Sequence, residues 1–207
     1  MSLNPDDTFE CEAWTRGFRR VAGIDESGRG PLAGPVVAAA VVLPRRCRLQ
    51  GLQDAKLLSP PQRDCLYTSL LTVAVDVGVG VVDAEMIDAV NILEATRLAM
   101  CQAIRHLSPP PDYLLLDAVI LPAVPTEQRA VIKGDGLCLS IAAASVVAKV
   151  LRDRLMARAH IQYPQYGFLA HKGYGTVEHL RQLQRHGPCA LHRRSFRPVL
   201  ELETEAR

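Results

Sequence analysis

The sequence predicts an α/β fold in which acidic residues end the strands of a sheet. Short runs rich in valine, leucine and alanine alternate with longer segments that carry helix start and stop signals. Two of these apolar runs end on carboxylates, one at Asp25 and Glu26 and the other at Asp117. In open α/β sheets the functional crevice lies at the carboxyl ends of the strands. If the two strands are parallel neighbours, we expect these acids to meet there.

Length and composition indicate one globular domain, because the 207 residues are 48% hydrophobic and 22% charged. Residues 1–14 are expected to be a flexible tail, 15–198 the functional domain and 199–207 a frayed end. No apolar run reaches the roughly 18 residues of a membrane helix, and the polar start is no signal peptide, so we expect a cytoplasmic protein that has no membrane partner. The six cysteines contain no C-x-x-C pair and are expected to be reduced thiols.

The stretch 21–35 is the one around which the chain is organised. A short apolar run ends on Asp25 and Glu26, and a glycine-rich loop leads to a second apolar run at 36–43. These runs predict two strands with a hairpin-like connection. Successive strand residues point to opposite faces, so the two acids are expected to converge only where the strand becomes irregular. Paired carboxylates in apolar surroundings repel each other and lose solvation unless a cation lies between them.

The same glycines allow a dinucleotide-binding interpretation. Gly28, Gly30 and Ala33 fit the pattern G-x-G-x-x-G/A, with Asp54 about twenty residues further on. That pattern needs a helix directly after the glycines, because the helix N-terminus holds the pyrophosphate. Pro35 and a strand-like run follow instead, which disfavours a nicotinamide cofactor.

Three helix starts are marked in the middle of the chain by capping residues. Ser59, two prolines and Gln62 predict the first, after a loop at 50–59. Asp83 predicts a short helix, and Asn91 begins a longer one that ends near residue 107. Strands are predicted at 72–82, 113–117 and 130–133, and a glycine turn at 134–136 follows the last of them.

A long helix is predicted from residue 139 to about 160, buried in its first half and charged in its second. Ser145, Lys149 and Asp153 fall on one stripe of this helix. An ion pair with Lys149 is the simpler interpretation of Asp153, although such a pair is better with the acid first. The loop at 163–174 mixes aromatic and basic residues suited to stacking on a sugar or base, and Thr176 begins a further helix.

Charge is unevenly distributed, although the net charge of +2 gives no overall basic field. From residue 149 to 197 the chain has ten basic residues and only two acidic ones. This distribution suggests a polyanionic partner held against a metal centre. A soluble charged surface explains it about equally well.

Acids without a His/Cys pattern favour hard divalent ions such as Mg²⁺ or Mn²⁺. With Gly28-Arg29-Gly30 and the Lys-Gly-Tyr-Gly-Thr motif at 172–176, the sequence resembles ribonuclease HII from residue 21 to about 198. Matching segments lie at 22–35, 51–56, 91–93, 114–117, 132–135, 140–145, 148–153 and 192–196. The resemblance implies the ribonuclease H-like fold, a mixed sheet of about five strands flanked by helices, with a helical C-terminal appendage.

The resemblance also implies an activity. It implies a cytosolic endonuclease that cuts the RNA strand of RNA–DNA hybrids and nicks duplex DNA on the 5′ side of single embedded ribonucleotides, in DNA replication and repair. We expect the protein to be a monomer. Two divalent ions about 4 Å apart would support in-line attack of water and leave a 3′-hydroxyl and a 5′-phosphate. The 2′-OH is the chemical mark that separates this target from DNA.

By the same resemblance, each site residue has an expected role. The catalytic and metal-binding acids would be Asp25, Glu26, Asp117 and Asp153. The junction of ribose and deoxyribose would be read by Gly28, Arg29, Gly30 and Tyr174. Further substrate contacts would come from Lys56, Asn91, Ser145, Arg193 and Arg194. The chain departs from the family where Leu57 replaces a frequent second lysine and where no basic residue follows the glycine turn.

Two other function classes stay open at this point. One is a metal-dependent DNA nuclease or resolvase of the same fold, which a substrate with and without one ribose distinguishes. The other is a non-catalytic nucleic-acid-binding module that uses the basic C-terminal third. That module leaves the buried acids unexplained, because an acidic pocket repels phosphate unless a cation is present.

Overall fold

One mixed sheet forms the centre of the computed structural model, which describes residues 4–205. Its strands are β1 (Val21–Ser27), β2 (Val36–Val42), β3 (Asp76–Val82), β4 (Tyr113–Asp117) and β5 (Glu127–Val131). Their order across the sheet is β3-β2-β1-β4-β5. The pairs β1–β2 and β2–β3 are antiparallel, whereas β1–β4 and β4–β5 are parallel. The predicted mixed five-stranded α/β sheet is therefore confirmed.

Helices cover both faces of this sheet. They are α1 (Thr8–Thr15), α2 (Pro60–Val73), α3 (Ala84–Val90), α4 (Ile92–Arg105), α5 (Leu139–Gln162), α6 (Phe168–His171), α7 (Val177–His186) and α8 (Arg197–Glu205). Short 3-10 turns lie at Gly134–Gly136 and Pro164–Tyr166. None of these described helices is both long and apolar enough to cross a membrane.

Strand alternation divides the core into two layers. Ala22 and Ile24 of β1 pack with α4 on one face, while Ala39 and Val41 of β2 pack with α2 and α5 on the other. Helix α5 lies directly against β1 at Gly23, where a Cβ atom would be 2.2 Å from the carbonyl carbon of Ser140. Only glycine allows this close approach. It brings the buried half of α5 to the strand that carries Asp25.

Side-chain caps confirm the predicted helix starts. The backbone N–H of Ser59 donates to the side chain of Gln62 (2.8 Å), and Met86 donates to Asp83 (2.9 Å). Leu93 donates to Asn91 (2.9 Å) and His179 to Thr176 (3.2 Å). Each cap satisfies an N–H group that has no partner within its own helix.

The ends of the domain differ from the prediction. The expected tail at 1–14 is wrong for residues 8–14, because they form most of α1 and bury Glu10 against the start of α5. Residues 1–3 lie outside the described part. The expected frayed end at 199–207 is wrong up to residue 205, since α8 continues to that point, and residues 206–207 again lie outside it.

Two strand boundaries also move. The strand predicted at 72–82 starts later, because α2 continues to Val73 and β3 begins at Asp76. The strand predicted at 130–133 is β5, which starts earlier, at Glu127, and ends at Val131. The loop predicted at 163–174 contains a 3-10 turn and the short helix α6. Strand pairing sets the start of β5, because Glu127 pairs with Tyr113 of β4.

Candidate active site

The acids at the ends of β1 and β4 are neighbours, as the sequence predicted. The two strands are parallel and Ile24 pairs with Leu116, so Asp25 and Asp117 follow side by side. Both lie on the face of the sheet that α5 covers, because Ile24 and Leu116 belong to the opposite layer. Asp135, in the turn before α5, joins them. Carboxylate oxygens of Asp25, Asp117 and Asp135 lie within 4.8 Å of one another.

Asp135 is the acid that the sequence analysis missed. Its turn is tied to β4 because the Gly134 N–H donates to Asp117 Oδ1 at 2.8 Å, and Lys56 Nζ lies 3.2 Å from Asp135 Oδ2. The local sequence, Gly134-Asp135-Gly136, indicates only a turn of the chain there. β5 is parallel to β4, so the carboxyl ends of the two strands lie at the same edge of the sheet. Functional residues of open α/β sheets gather at this edge, which applies to an acid in the turn after β5 as it does to Asp117.

Glu26 reaches the same cleft from the opposite face of the sheet. Asp25 and Glu26 are successive residues of the β1 ladder, paired with Ala39 and Ala38, so their side chains leave opposite faces of the sheet as predicted. Glu26 is not part of the group formed by Asp25, Asp117 and Asp135. The Glu26 carboxylate is 3.3 Å from Arg29 through Oε1. Its other oxygen, Oε2, is buried and finds no hydrogen-bond partner among residues 4–205. A buried, unpartnered carboxylate oxygen is suited to a cation.

Burial makes the charged forms of these acids costly. It raises the pKa of Asp25 well above the ordinary value, the charges of Glu26 and Asp117 add to the effect, and a hydrogen bond from Ser145 opposes it. Burial also raises the pKa of Glu26, against the opposing effect of Arg29. The pKa of Asp117 is raised by burial and partly lowered by the Gly134 N–H. A bound cation would relieve this repulsion.

The donor atoms identify the class of cation. Asp25, Asp117 and Asp135 present carboxylate oxygens only, within a span of 4.8 Å. Hard divalent ions such as Mg²⁺ and Mn²⁺ prefer such oxygen ligands. The residues present therefore fit a divalent metal site.

A cleft of about 200 Å³ opens over these acids. Besides Asp25, Glu26 and Asp117 it is lined by Ser27, Gly28, Arg29, Gly30, Lys56, Lys149 and Tyr174. The residues expected to read the ribose junction therefore lie beside the acids. Tyr174 is 47% exposed, and a Cβ atom on Gly30 would lie 3.7 Å from its ring.

Asp153 lies outside the acid group, which corrects the expectation that it converges with Asp25, Glu26 and Asp117. Its carboxylate is 2.7 Å from Lys149 Nζ and 3.7 Å from Arg63 Nη2. The ion pair with Lys149 is the alternative that the sequence left open. Ser145, on the same stripe, does contact Asp25, but eight residues of helix separate the two positions by about 12 Å.

The other expected substrate contacts fall into different places. Arg193 is fully buried, so the expected phosphate contact is wrong in this conformation. Asn91 caps α4 through Oδ1, and that side chain is used structurally. Ser145 is buried against Asp25. Arg194 is exposed, and its backbone N–H donates to Asp88 at 2.7 Å.

Comparison with known proteins agrees with this geometry. A family profile described as ribonuclease HII matches residues 22–199. The chain is 54% identical to ribonuclease HII of Geobacillus kaustophilus over 94% of this chain and 74% of that protein. It is 55% identical to ribonuclease HII of Chlamydia trachomatis serovar A over 97% of this chain and 93% of that protein.

A solved structure gives the same result at lower sequence identity. The ribonuclease H2 of Pyrococcus horikoshii matches with a TM-score of 0.76 and 28% identity, covering 90% of this chain and 98% of that one. The resemblance read from the sequence is thus confirmed by profile, sequence and fold. The chain belongs to the ribonuclease HII family of metal-dependent endoribonucleases.

Proposed function

We propose that the chain hydrolyses the RNA strand of RNA–DNA hybrids and nicks duplex DNA on the 5′ side of single embedded ribonucleotides. One observation carries this proposal. The buried acids Asp25, Glu26 and Asp117 share a cleft with the glycine loop 28–30 and the exposed ring of Tyr174. The cleft thus combines a phosphate-hydrolysing group with groups that contact a sugar.

Mg²⁺ or Mn²⁺ would be held by Asp25, Asp117 and Asp135, with Glu26 reaching in through its unpartnered oxygen. The bound ions would supply charge stabilisation and nucleophile activation for in-line phosphoryl hydrolysis. The chain itself orients the ligands. The Gly134 N–H fixes Asp117 at 2.8 Å, and the Ser145 side chain lowers the pKa of Asp25 against the effect of burial. Lys56 balances the charge of Asp135 at 3.2 Å.

Recognition of ribose would come from the other wall of the cleft. Glycine has no side chain in the way, so the backbone at Gly28 and Gly30 allows close approach of a 2′-OH. The exposed Tyr174 ring offers a stacking surface for a sugar or base. Arg29 and Arg194 are exposed cations that would contact phosphates. A nuclease for DNA alone has no need of such a ribose-reading wall.

The setting of this activity is also part of the proposal. We expect the chain to act as a monomer in the cytoplasm, in the removal of ribonucleotides from DNA during replication and repair. All six cysteines, each within the described part of the chain, are free thiols, which suits a reducing compartment. Analytical ultracentrifugation tests the expected monomer.

Three duplexes, incubated side by side with Mg²⁺, test the proposed substrate range. One carries a single ribonucleotide, one is a continuous RNA–DNA hybrid and one is all DNA. We expect cleavage of the first two only. Equal cleavage of all-DNA duplex would favour the DNA nuclease alternative, and binding of all three without cleavage would favour a binding module.

A further inference from the structure

Two arginines lie buried directly beneath the glycine loop at 28–35. Arg152 and Arg193 each have 0% of their surface exposed. Neither guanidinium forms an ion pair with a carboxylate among the side chains that the structure describes. Burying a cation in this way is costly unless its donors are all satisfied. The acceptors here are backbone carbonyl groups of the loop and of Lys172.

Arg193 holds both ends of the loop with a single guanidinium. Its Nη2 donates to the carbonyl oxygens of Gly28 at 2.6 Å and Gly34 at 2.8 Å. Its Nη1 donates to Arg29 O at 2.9 Å, and its Nε to Gly34 O at 3.0 Å. Four bonds from one planar fork fix the relative positions of three carbonyl groups. A lysine ammonium has no such rigid set of directed donors.

Arg152 holds the same loop from α5. It donates to the carbonyl oxygens of Pro35 at 3.0 Å and Ala33 at 3.2 Å. A third bond, to Lys172 O at 3.0 Å, connects the loop to the segment that carries Tyr174. A Cβ atom on Gly28 would lie 2.1 Å from Arg152 Nε, so the loop rests directly on this side chain.

The bonds of Arg193 also set the direction of the loop's N–H groups. In a trans peptide the C=O and the N–H point in opposite directions. The carbonyl groups of Gly28 and Arg29 point inward to Arg193, so the N–H groups of Arg29 and Gly30 point away from it. Arg29 and Gly30 are exposed and line the cleft.

We propose that Arg193 is a positioning residue for ribose recognition, which holds the glycine loop so that the N–H groups of Arg29 and Gly30 face the sugar of the substrate. This role rests on the proposed function. Burial and the neighbouring Arg152 lower the pKa of Arg193 to about 9, so the side chain is still a cation at neutral pH. It acts through the loop and does not touch the substrate.

Arg193→Lys tests this role, because it keeps the charge and removes the planar fork. Arg197→Lys is the matched control, since that arginine is 88% exposed and pairs with Glu201 at 2.8 Å. We measure the dissociation constants, in the absence of metal, of a duplex with one ribonucleotide and of the same duplex made of DNA alone, and the folded fraction by circular dichroism. We expect Arg193→Lys to lower the preference for the ribonucleotide-containing duplex over the all-DNA duplex by about tenfold or more, since a misplacement of about 1 Å can cost about a hundredfold. Arg197→Lys should leave this preference unchanged.

An unchanged preference for the ribonucleotide-containing duplex in folded Arg193→Lys protein would overturn the positioning role, because a purely structural residue lowers the affinities for both duplexes in parallel. If that variant does not fold, the same comparison with Arg152→Lys decides in the same way. Loss of folding in both variants would assign the arginines to the fold as a whole and overturn the inference. A wild-type protein that does not cut the ribonucleotide-containing duplex when Mg²⁺ is added would instead refute the proposed function and the inference with it.

Discussion

At the residue scale, the site consists of carboxylates that repel one another when no cation is bound. Burial raises the pKa of Asp25, Glu26 and Asp117. A folded-state pKa above the unfolded value means that the protonated acid favours folding. In the metal-free protein this stabilisation is complete below about pH 4 and is lost as the pH rises. At neutral pH the acid cluster therefore destabilises the metal-free fold.

Asp117→Asn should abolish cleavage and also stabilise the metal-free protein. The amide oxygen still accepts the Gly134 N–H, which now lies 2.8 Å from Asp117, while one repelling charge is removed. We expect a gain in stability at pH 7 that vanishes near pH 3, and no increase in melting temperature on addition of Mn²⁺, which we expect to stabilise the wild type. Asp64→Asn, at an exposed ion pair with Arg154, is the control. A variant with wild-type cleavage would refute the assignment of Asp117.

Replacing Asp135 should lower activity, whereas replacing Asp153 should lower stability. Asp135→Asn should lower kcat by about a hundredfold or more, because a charged ligand of the acid group is lost. Asp153→Asn should keep most of the activity and lower stability by about 1 kcal/mol, since it breaks the pair with Lys149 at 2.7 Å. Single-turnover cleavage and urea unfolding of both variants separate the two roles. The reverse pattern would restore Asp153 to the acid set and remove Asp135.

At the scale of single elements, α1 is part of the core through one carboxylate. Glu10 is 2% exposed, and its Oε1 accepts the Ser140 N–H at 2.7 Å. That N–H is at the start of α5, where backbone donors have no partner in the helix and negative charge is favoured. Glu10 thereby links the first helix to the helix that contacts Asp25.

Glu10→Ala should destabilise the protein by about 1–3 kcal/mol, because the buried Ser140 N–H loses its acceptor. Glu12→Ala is the control on the same helix. Glu12 is 53% exposed and pairs with Arg129, and such surface pairs contribute about 0–1 kcal/mol. Urea midpoints compare the three proteins. Equal midpoints for Glu10→Ala and the wild type would show that α1 does not support the fold.

Two neutral histidines, His179 and His192, are hydrogen-bonded to each other and to the backbone at Tyr174. The Cys189 N–H donates to His192 Nδ1 at 3.0 Å, and His179 Nδ1 donates to Tyr174 O at 2.9 Å. His192 Nε2–H therefore donates to His179 Nε2, 3.0 Å away. Burial lowers the pKa of His192 to about 4, and His179, Arg194 and His171 add to the effect. Burial also lowers the pKa of His179.

The hydrogen bonds of these neutral histidines should make the fold sensitive to mild acid. A depressed folded-state pKa gives stability that is complete above the unfolded value of about 6.5 and is lost as the pH falls toward 4. We expect the wild type to lose up to about 3 kcal/mol over this window, and His192→Gln to lose clearly less. The buried acids contribute equally to the pH dependence of both proteins. Subtracting the free energy of unfolding of His192→Gln from that of the wild type at each pH therefore removes their contribution. Parallel pH profiles would refute the assignment.

At the scale of the whole molecule, the position of the site at the carboxyl ends of the strands could be predicted from the sequence. The set of acids that form it could be predicted only in part. Asp25 and Asp117 follow from two apolar runs and the strand-end rule, which depend on local sequence. Asp153 was assigned to the acids by the resemblance alone, whereas the local sequence favoured its ion pair with Lys149, which the structure shows at 2.7 Å. Asp135 was missed because its turn becomes part of the site only through the parallel pairing of β4 and β5.

Long-range burial accounts for the remaining differences. A run of basic residues near the C-terminus indicates a surface, and nothing local shows that Arg193 turns inward to the loop at 28–34. The first helix is likewise hidden, since the partner of Glu10 is Ser140, far along the chain. Both depend on contacts that only the folded chain creates.

The chemistry of the product ends tests the central claim most directly. A duplex with one ribonucleotide is incubated with the wild-type protein and Mg²⁺, Mn²⁺ or a chelator, and the ends are identified by mass spectrometry. Hydrolysis supported by the acid-bound ions predicts a cut on the 5′ side of the ribonucleotide, a 3′-hydroxyl, a 5′-phosphate and no product with the chelator. A 2′,3′-cyclic phosphate on the 3′ side, formed equally well with the chelator, would contradict the account.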